Sequence, residues 1–121
     1  MRIEEVMSTP VIVTSKTNKV CHIRELLNRR NVNAIPVLEE DGTIAGILSS
    51  SDVAKCHDDQ ELAMNIMSKK VHIVLHNNRM IDAAKIMLKH HVHHLVVMND
   101  GQVVGMISSM DALQVYVNEL G

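Results

Sequence analysis

The stretch "GILSSSD" at residues 46–52 recurs as "GMISSMD" at residues 105–111, 59 positions further along the chain. In both copies an aliphatic run ends in serines, and an aspartate follows directly in the first copy and after one methionine in the second. Serine and aspartate are residue types that commonly begin helices. Each copy therefore predicts a buried strand that leads directly into a helix. A short chain that contains this junction twice is expected to repeat a larger unit.

A shift of 60 residues extends the repeat over most of the chain. It aligns "VMSTPVIV" (6–13) with "IMSKKVHI" (66–73), and "NVNAIPVL" (31–38) with "HVHHLVVM" (91–98). Self-similarity at a fixed period indicates copies of one supersecondary unit. We therefore predict two motifs, residues 1–59 and 60–121.

Hydrophobic periodicity and turn residues predict the same β-α-β-β-α order in each motif. In the first motif we expect strands at 11–13, 34–38 and 43–48, and helices at 18–30 and from about Ser51. In the second we expect strands at 71–74, 94–98 and 103–107, and helices at 78–90 and from about Met110. Gly42 and Gly101 can supply the positive φ that a tight hairpin requires. The predicted fold class is α+β.

The spacing of apolar residues predicts which helix faces point inward. For the helix of the first motif these are Val20, Ile23, Leu26 and Leu27, and for that of the second they are Ile81, Ala84, Met87 and Leu88. We also expect Met98 and Met106 to fill the core from their strands. Some apolar surface should be left over for a homodimer interface, with Ile23 and Leu27, or Ala83, Ala84 and Met87, as the candidate faces.

Composition excludes several functions. The chain has 121 residues, 46% hydrophobic content and a net charge of −2, so it can build one core and has no basic footprint for nucleic acid. Trp and Phe are absent and Tyr is present once, so base stacking is disfavoured. The start "MRIEEVM" is unlike a signal peptide, and no apolar run is long enough to cross a membrane. We expect a cytoplasmic protein with no nucleic-acid or membrane partner.

Catalytic and metal chemistry have little support. The sequence contains no nucleophile elbow, no metal-ligand set and no Gly-rich phosphate loop, so we predict neither catalytic residues nor a required cofactor. Cys21 and Cys56 form no CxxC pair and are predicted to be small buried hydrophobes. The run "HHVHH" (90–94) leaves three alternatives open: phosphate contact by His93 or His94, plain surface histidines, or metal binding.

The ordered set of features resembles a tandem pair of cystathionine β-synthase (CBS) domains. The resemblance rests on a start of the form "hMS" (h, hydrophobic), a strand "IPVL" or "LVVM", a "DG" hairpin and a final "GhhSxxD", each occurring twice. It implies a pseudo-two-fold symmetric module that usually dimerises and binds adenosine-containing ligands in two clefts between the motifs. It is similar to the nucleotide-sensing pairs of the AMP-activated protein kinase γ subunit.

The resemblance also implies that each cleft combines residues of both motifs. The first cleft would use Ser49, Ser51, Asp52, Met67, His72, Val92, His93 and His94. The second would use Ser108, Asp111, Met7, Ile12, Val32, Asn33 and Ala34. An ionised Asp has two acceptor oxygens, which suit the adjacent hydroxyls of a ribose. The alternative is that Ser51 and Asp52 only cap the helix that follows, as these residue types commonly do.

The two predicted clefts are unequal. Met110 replaces the hydroxyl that Ser51 supplies in the first cleft, and Asn33–Ala34 replaces the pair His93–His94. We therefore expect the first cleft to be the principal site. The predicted function is a ligand-sensing regulatory module that acts on an unknown regulated protein. The alternatives are a structural dimerisation module with vestigial clefts and a His-rich metal-responsive binder.

Overall fold

Two compact units make up the computed structural model, which describes residues 1–120. The central unit is Ile12–Val71. The terminal unit combines Met1–Val11 with the chain from His72 onward. The first residues of each sequence repeat thus pack in the unit built mainly by the other repeat. The predicted motif spans 1–59 and 60–121 describe the sequence repeat and stay a prediction.

The central unit is a three-stranded sheet with helices. Its strands follow the order β1-β2-β3, with β1 parallel to β2 and β2 antiparallel to β3. In chain order its elements are β1 (Thr14–Ser15), α1 (Val20–Arg30), β2 (Ala34–Leu38), β3 (Ile44–Ser49), α2 (Ser50–Lys55) and α3 (Ala63–Ile66). Buried residues of α1, β2 and β3 form its core, among them Ile23, Ile35 and Leu48.

The terminal unit repeats this arrangement. A 3₁₀ turn at Ile3–Glu5 precedes the sheet, in which β4 is parallel to β5 and β5 antiparallel to β6. Its elements are β4 (Ile73–Leu75), α4 (Met80–His90), β5 (His94–Asn99), β6 (Gln102–Ser108) and α5 (Ser109–Leu120). The two mixed sheets with their helices confirm the predicted α+β class. No helix within residues 1–120 is both long enough and apolar enough to span a bilayer.

The two hairpins explain why the repeat period drops from 60 to 59. In the terminal unit Asp100 and Gly101 both have positive φ, 53° and 75°, and form a two-residue turn between the paired Asn99 and Gln102. In the central unit the loop is longer, and of its residues only Gly42 has positive φ, 87°. Both glycines thus adopt the conformation predicted for them, and the one-residue deletion lies in the second hairpin.

Strand and helix boundaries differ from the predictions at several places. The first strand of the central unit is Thr14–Ser15 and not 11–13, and that of the terminal unit is Ile73–Leu75 and not 71–74. These strands are parallel partners of β2 and β5, so their extent depends on pairing more than on local hydrophobicity. Helices α1 and α4 begin at Val20 and Met80, two residues later than predicted.

The inward face of α4 also differs from the prediction. Met80, Ala83 and Met87 are buried, whereas Ile81 is 47% and Leu88 76% exposed. The three buried residues are the equivalents, 60 positions later, of Val20, Ile23 and Leu27, which are buried on α1 as predicted. Leu26, Met98, Met106 and the free Cys21 and Cys56 are only partly buried.

The faces predicted for a dimer are wrong as well. Ile23, Leu27, Ala83 and Met87 belong to the cores of their own units, so they cannot form an exposed interface. As with the inward face of α4, the cause is packing: these apolar residues are buried in the core of their own unit. Exposed apolar side chains lie at other positions, among them Leu88 on α4 and Leu113 and Tyr116 on α5.

Candidate functional site

The junction of β3 and α2 holds the first Ser-x-Ser-Asp segment. Ser49 is the N-cap of α2, and its Oγ accepts the backbone N–H of Asp52 at 3.2 Å. In return Oδ2 of Asp52 accepts the backbone N–H and the hydroxyl of Ser49, both at 2.9 Å. This reciprocal arrangement is a capping box. The capping role expected of Asp52 is therefore confirmed, but the serine that caps α2 is Ser49 and not Ser51.

The junction of β6 and α5 has the same geometry. Oδ2 of Asp111 accepts the backbone N–H of Ser108 at 2.8 Å and its hydroxyl at 3.0 Å, and Asp111 N–H donates to Ser108 Oγ at 3.2 Å. Among residues 1–120, no hydrogen bond is made to Oδ1 of either aspartate. Each carboxylate thus fixes its helix with one oxygen and keeps the other as an acceptor for an outside donor.

The two junctions differ at the residue before the aspartate. Ser51 lies within hydrogen-bond distance of Ser49, with 2.9 Å between their hydroxyl oxygens. Met110 occupies the equivalent position in the terminal unit and is 68% exposed. The segment of the central unit therefore has one side-chain hydroxyl more beside its carboxylate than the segment of the terminal unit.

The starts of β2 and β5 lie beside these junctions. Ala34 pairs with Ser49, and His94 pairs with Ser108. The backbone N–H of Ser50 donates to the carbonyl of Asn33 at 2.8 Å, and that of Ser109 donates to the carbonyl of His93 at 2.9 Å. Sequence reasoning missed Ser50 and Ser109, whose backbone amides connect the start of each strand to the helix of the junction. Their position inside the repeated Ser–Asp segments was the signal that could have found them.

Burial affects the titration of His94. The side chain is half-buried, and the loss of water, assisted by the neighbouring His93, lowers its pKa, while Asp111 acts in the opposite direction. The neutral imidazole is thus favoured at neutral pH. The equivalent Ala34 of the central unit cannot titrate.

The methionines at the motif starts pack against the strands that lead to these junctions. Met67 lies against Gly46 of β3, where an added Cβ would approach the Met67 sulfur and the Ser68 carbonyl oxygen to 2.7 Å each. Met7 lies in the same way against Gly105 of β6. Backbone and side-chain atoms of another segment occupy the space of a Cβ at Gly46, and the Met7 side chain occupies it at Gly105. Sequence reasoning did not anticipate these contacts.

The predicted clefts draw residues from both units. For the first cleft, Ser49, Ser51, Asp52 and Met67 belong to the central unit, and His72, Val92, His93 and His94 belong to the terminal unit. For the second, Ser108, Asp111 and Met7 belong to the terminal unit, and Ile12, Val32, Asn33 and Ala34 belong to the central unit. The structure joins Ser49, Ser51 and Asp52 at one junction and Ser108 and Asp111 at the other by hydrogen bonds, and the assembly of the two clefts stays a prediction.

The histidine run is divided between several roles. His90 stacks on His72, with ring centroids 4.4 Å apart and an angle of 27° between the ring planes. Loss of water, with smaller contributions from His72 and Lys89, lowers the pKa of His90. His91 ends α4 in the left-handed conformation, with φ of 54°. In the described part of the chain no group of three or more His, Cys, Asp or Glu side chains could hold a metal ion.

Sequence comparison relates the chain to proteins with the predicted repeat. The family described as CBS domain matches residues 3–58 and 63–118. Homoserine O-acetyltransferase of Methanocorpusculum labreanum is 33% identical over 112 residues, which cover 90% of this chain and 23% of that protein. An uncharacterised protein of Methanocaldococcus jannaschii, MJ0188, is 32% identical over 94% of this chain and 43% of its own length. The chain thus spans less than half of these relatives.

Structural comparison shows the fold. The CBS domain pair of protein MJ0100, in complex with 5′-methylthioadenosine and S-adenosyl-L-methionine, has a TM-score of 0.91 at 23% identity and covers 98% of both chains. CBSX2 in complex with AMP has a TM-score of 0.82 at 18% identity, covering 99% of this chain and 98% of its own. The overlap extends over both sequence repeats.

Proposed function

The chain belongs to the CBS domain family, and we propose that it is a regulatory module that senses an adenosine-containing ligand bound between its two repeats. Pairs of this family are typically regulatory and not catalytic, and two structural neighbours were solved with adenosine ligands: 5′-methylthioadenosine with S-adenosyl-L-methionine, and AMP. The proposal includes no catalytic step and no required cofactor. The regulated protein is a separate partner or a further part of a longer protein.

One observation carries the proposal: Asp52 and Asp111 each cap a helix with Oδ2 and make no hydrogen bond through Oδ1 within residues 1–120. The capping box fixes the carboxylate, so the second oxygen is held ready and little side-chain entropy is lost when a ribose hydroxyl donates to it. A cap alone requires only one oxygen. The uncommitted Oδ1 therefore allows each carboxylate to accept a ribose hydroxyl while it caps its helix.

We propose the first cleft as the principal site. Asp52 would accept the ribose hydroxyls, Ser49 and Ser51 would add hydroxyl contacts, and Met67 would border the adenine. His72, Val92, His93 and His94 would complete the cleft from the other repeat, with His93 or His94 near a phosphate. The second cleft, formed by Ser108, Asp111, Met7, Ile12, Val32, Asn33 and Ala34, would bind more weakly because it has one hydroxyl fewer.

We further propose a cytoplasmic homodimer. The free Cys21 and Cys56 agree with a reducing compartment. Exposed apolar side chains on α5 support self-association.

Calorimetric titration tests the ligand. The purified chain is titrated with adenosine, AMP, ADP, ATP, 5′-methylthioadenosine and S-adenosylmethionine, and we expect at least one of them to bind saturably. Asp52→Asn keeps an oxygen for the cap and replaces the second oxygen by an amide donor. The affinity should fall by about 1.5 to 3 kcal/mol, or roughly 10- to 150-fold, since a hydrogen bond to a charged acceptor is lost.

Asp111→Asn is the matched control, because its capping geometry is the same. Asp111→Asn should lower the affinity of the tighter site by less than Asp52→Asn does. Equal losses in the two variants would contradict the assignment of the principal cleft. Absence of binding by all six compounds would favour the alternative of a structural dimerisation module with vestigial clefts.

A further inference from the structure

The first residues of the chain form a strap on the terminal unit. We call residues 1–11 the N-terminal strap. Its equivalent in the sequence repeat is the stretch 61–71, which packs in the central unit. Each stretch carries a methionine that contacts a glycine, Met7 on Gly105 of β6 and Met67 on Gly46 of β3. The attachment of the two stretches can therefore be compared contact by contact.

The start of the strap is firmly attached. Ile3 is fully buried in the core of the terminal unit, and its backbone N–H donates at 2.9 Å to a carbonyl of the turn before α4. The N–H of Glu4 donates to the carbonyl of His76 at 2.9 Å, and the Glu4 carboxylate lies 2.6 Å from the His76 ring nitrogen Nδ1. In the central unit the same two backbone bonds come from Ala63 and Met64. The strap has the side-chain contact of Glu4 in addition.

The far end of the strap is attached less firmly. Ser8 makes one backbone hydrogen bond to β6, from its N–H to the carbonyl of Met106 at 3.2 Å. Within residues 1–120 no backbone hydrogen bond returns from Met106 to Ser8. In the central unit Ser68 and Ile47 exchange two bonds, both of 2.9 Å. The strap thus has one long bond where its equivalent has two short ones.

The contacts of the two glycines agree with this difference. A Cβ added at Gly46 would lie 2.7 Å from the carbonyl oxygen of Ser68. A Cβ added at Gly105 would have three nearest atoms, out to 3.2 Å, that all belong to the Met7 side chain. The backbone of the strap is therefore further from its glycine than the backbone of the central stretch. A flexible methionine side chain, and little backbone pairing, holds the strap at this point.

The weakly attached end lies close to the second Ser–Asp junction. Met106 precedes Ser108 by two residues on β6, and Ser108 fixes Asp111 through the capping box. Met7 is also the residue of the strap that the proposed second cleft includes. A movement of Met7 would therefore change the border of that cleft while the carboxylate of Asp111 stays in place.

We propose that residues 7–9 are a gate at the second candidate site, which opens away from β6 while Ile3 and Glu4 stay attached. In the open state Met7 leaves Gly105, and the site lacks one wall. A ligand that contacts Met7 binds the closed state better, so it shifts the population towards that state. The affinity of a gated site is reduced in proportion to the closed fraction.

The ligand part of the proposal rests on the proposed function and adds its regulation. The second cleft is gated, and the first is not, because Ser68 is paired with Ile47 by two bonds. The gate opens and closes in the chain without ligand. Its existence and its control by ligand can therefore be measured separately.

Amide hydrogen exchange of the full chain without ligand tests the gate. Each measured rate is divided by the intrinsic rate of the same residue, so that positions can be compared. We expect Ser8 to exchange about 5- to 10-fold faster than Ser68, because one backbone bond is missing. The anchors of the strap should exchange no faster than their equivalents; these matched amides are Ile3 and Glu4, and Ala63 and Met64.

Two results would overturn the gate. One is equal protection of Ser8 and Ser68. The other is exchange of Ile3 and Glu4 at the rate of Ser8, since the whole strap would then detach as one piece.

Met7→Ala and Met67→Ala are the matched variants. Met7→Ala removes the main contact of the gate and should speed exchange at Ser8 by about 10-fold relative to Ile3 in the same protein. Met67→Ala should speed exchange at Ser68 by less than about 3-fold relative to Ala63, since two backbone bonds remain. Equal effects would contradict the holding role of Met7. If either variant is unfolded by circular dichroism, the comparison of Ser8 with Ser68 in the parent decides.

AMP and 5′-methylthioadenosine test the control by ligand. At concentrations that saturate both clefts, exchange at Ser8 should slow at least about 5-fold. Asp111→Asn weakens the second cleft and should remove this slowing. Exchange at Ser8 that is unchanged by a bound ligand would overturn control of the gate by ligand. If neither compound binds, control by ligand and the proposed function both fail, and the exchange without ligand alone decides the gate.

Discussion

The helix pair α1–α2 and the helix pair α4–α5 arise from the same sequence repeat and are completed in different ways. In the first, Arg24 on α1 hydrogen-bonds to two carbonyls near the end of α2, a helix of six residues. In the second, Ala84 leaves an open apolar groove along α5, a helix of twelve residues. The sheets and the capping boxes are retained in both. Duplication has thus preserved the framework of each unit while one helix pair became closed and the other open.

This difference separates the parts of the repeat that the fold requires from those that are free to diverge. Three features occur in both units because the fold of each unit requires them: the strand register, the glycine that contacts a methionine, and the Ser–Asp helix cap. The outer faces of the helices contact solvent or a partner, so they can differ. Substitutions in both units test this division, from the largest expected effect to the smallest.

Gly46→Ala should cause the largest loss of stability. The new Cβ would approach the Ser68 carbonyl oxygen and the Met67 sulfur to 2.7 Å, and the backbone oxygen cannot move without disrupting its pairing with β3. Overpacking of this kind costs about 1 to 3 kcal/mol. Urea unfolding measures the loss.

Gly105→Ala is the matched comparison. There the three atoms nearest to the new Cβ all belong to the Met7 side chain, the closest at 2.7 Å. A flexible methionine can rotate away, so the loss should be smaller, about 0.5 to 1 kcal/mol. If both variants lose the same free energy of unfolding, the clash with the Ser68 backbone is not what makes Gly46→Ala destabilising.

Arg24→Met should lower the free energy of unfolding by about 1 kcal/mol, because it retains the apolar stem and removes the hydrogen bonds to Val53, Cys56 and Asp59. The salt bridge itself is partly exposed and contributes little. Glu25→Gln on the exposed face of the same helix should leave the stability unchanged. Chemical denaturation of the three proteins gives the comparison, and an unaffected Arg24→Met variant would contradict the closing role of this arginine.

Removal of the carboxylate should lower the free energy of unfolding by the same amount at either helix cap. Asp52→Ala and Asp111→Ala each delete one member of a capping box with nearly identical distances, so each should lose about 1 kcal/mol. Thermal unfolding of both variants tests this equality. A difference of more than about 0.5 kcal/mol would mean that the two junctions are not equivalent in the folded chain.

The smallest effect is a pH dependence of the free energy of unfolding that comes from His94 in the terminal unit. The pKa of His94 is lower in the folded chain than its ordinary value of about 6.5, so the unfolded state binds protons more strongly. Stability is therefore full above about pH 6.5 and falls as the pH drops from there toward the folded pKa. His94→Gln should flatten this slope in urea titrations between about pH 7.5 and 5.5, and His90, whose pKa is also lowered, should leave a residual slope.

If His94→Gln and the parent show the same slope, burial of this imidazole is not the cause of the acid sensitivity.

The repeat made much of the fold predictable. The strand Ala34–Leu38 was predicted to the residue, as was the glycine conformation in both hairpins. The first strands were misplaced because a two- or three-residue parallel strand is defined by its partner. The inward face of α4 was misjudged because "MIDAAKIML" has apolar residues on two faces, and only packing selects one of them.

The candidate site was predictable to a smaller extent. Ser49 and Asp52 were recognised from their repetition, since cap chemistry is local and depends on a few neighbouring residues. The packing of Met67 on Gly46 and of Met7 on Gly105 joins segments that are distant in sequence, and no local pattern encodes such contacts. The pairing of half-sites into clefts rests on the family resemblance.

The most direct test of the ligand-sensing proposal is an amide chemical-shift titration of the labelled chain with AMP and with 5′-methylthioadenosine. We predict saturable shifts at Ser49, Ser51 and Asp52, smaller shifts at Ser108 and Asp111, and none at the hairpin around Gly42. Asp52→Asn should weaken the response of the first group. Shifts that are absent from both Ser–Asp junctions while the hairpin responds, or no saturable shift with either compound, would contradict the proposal.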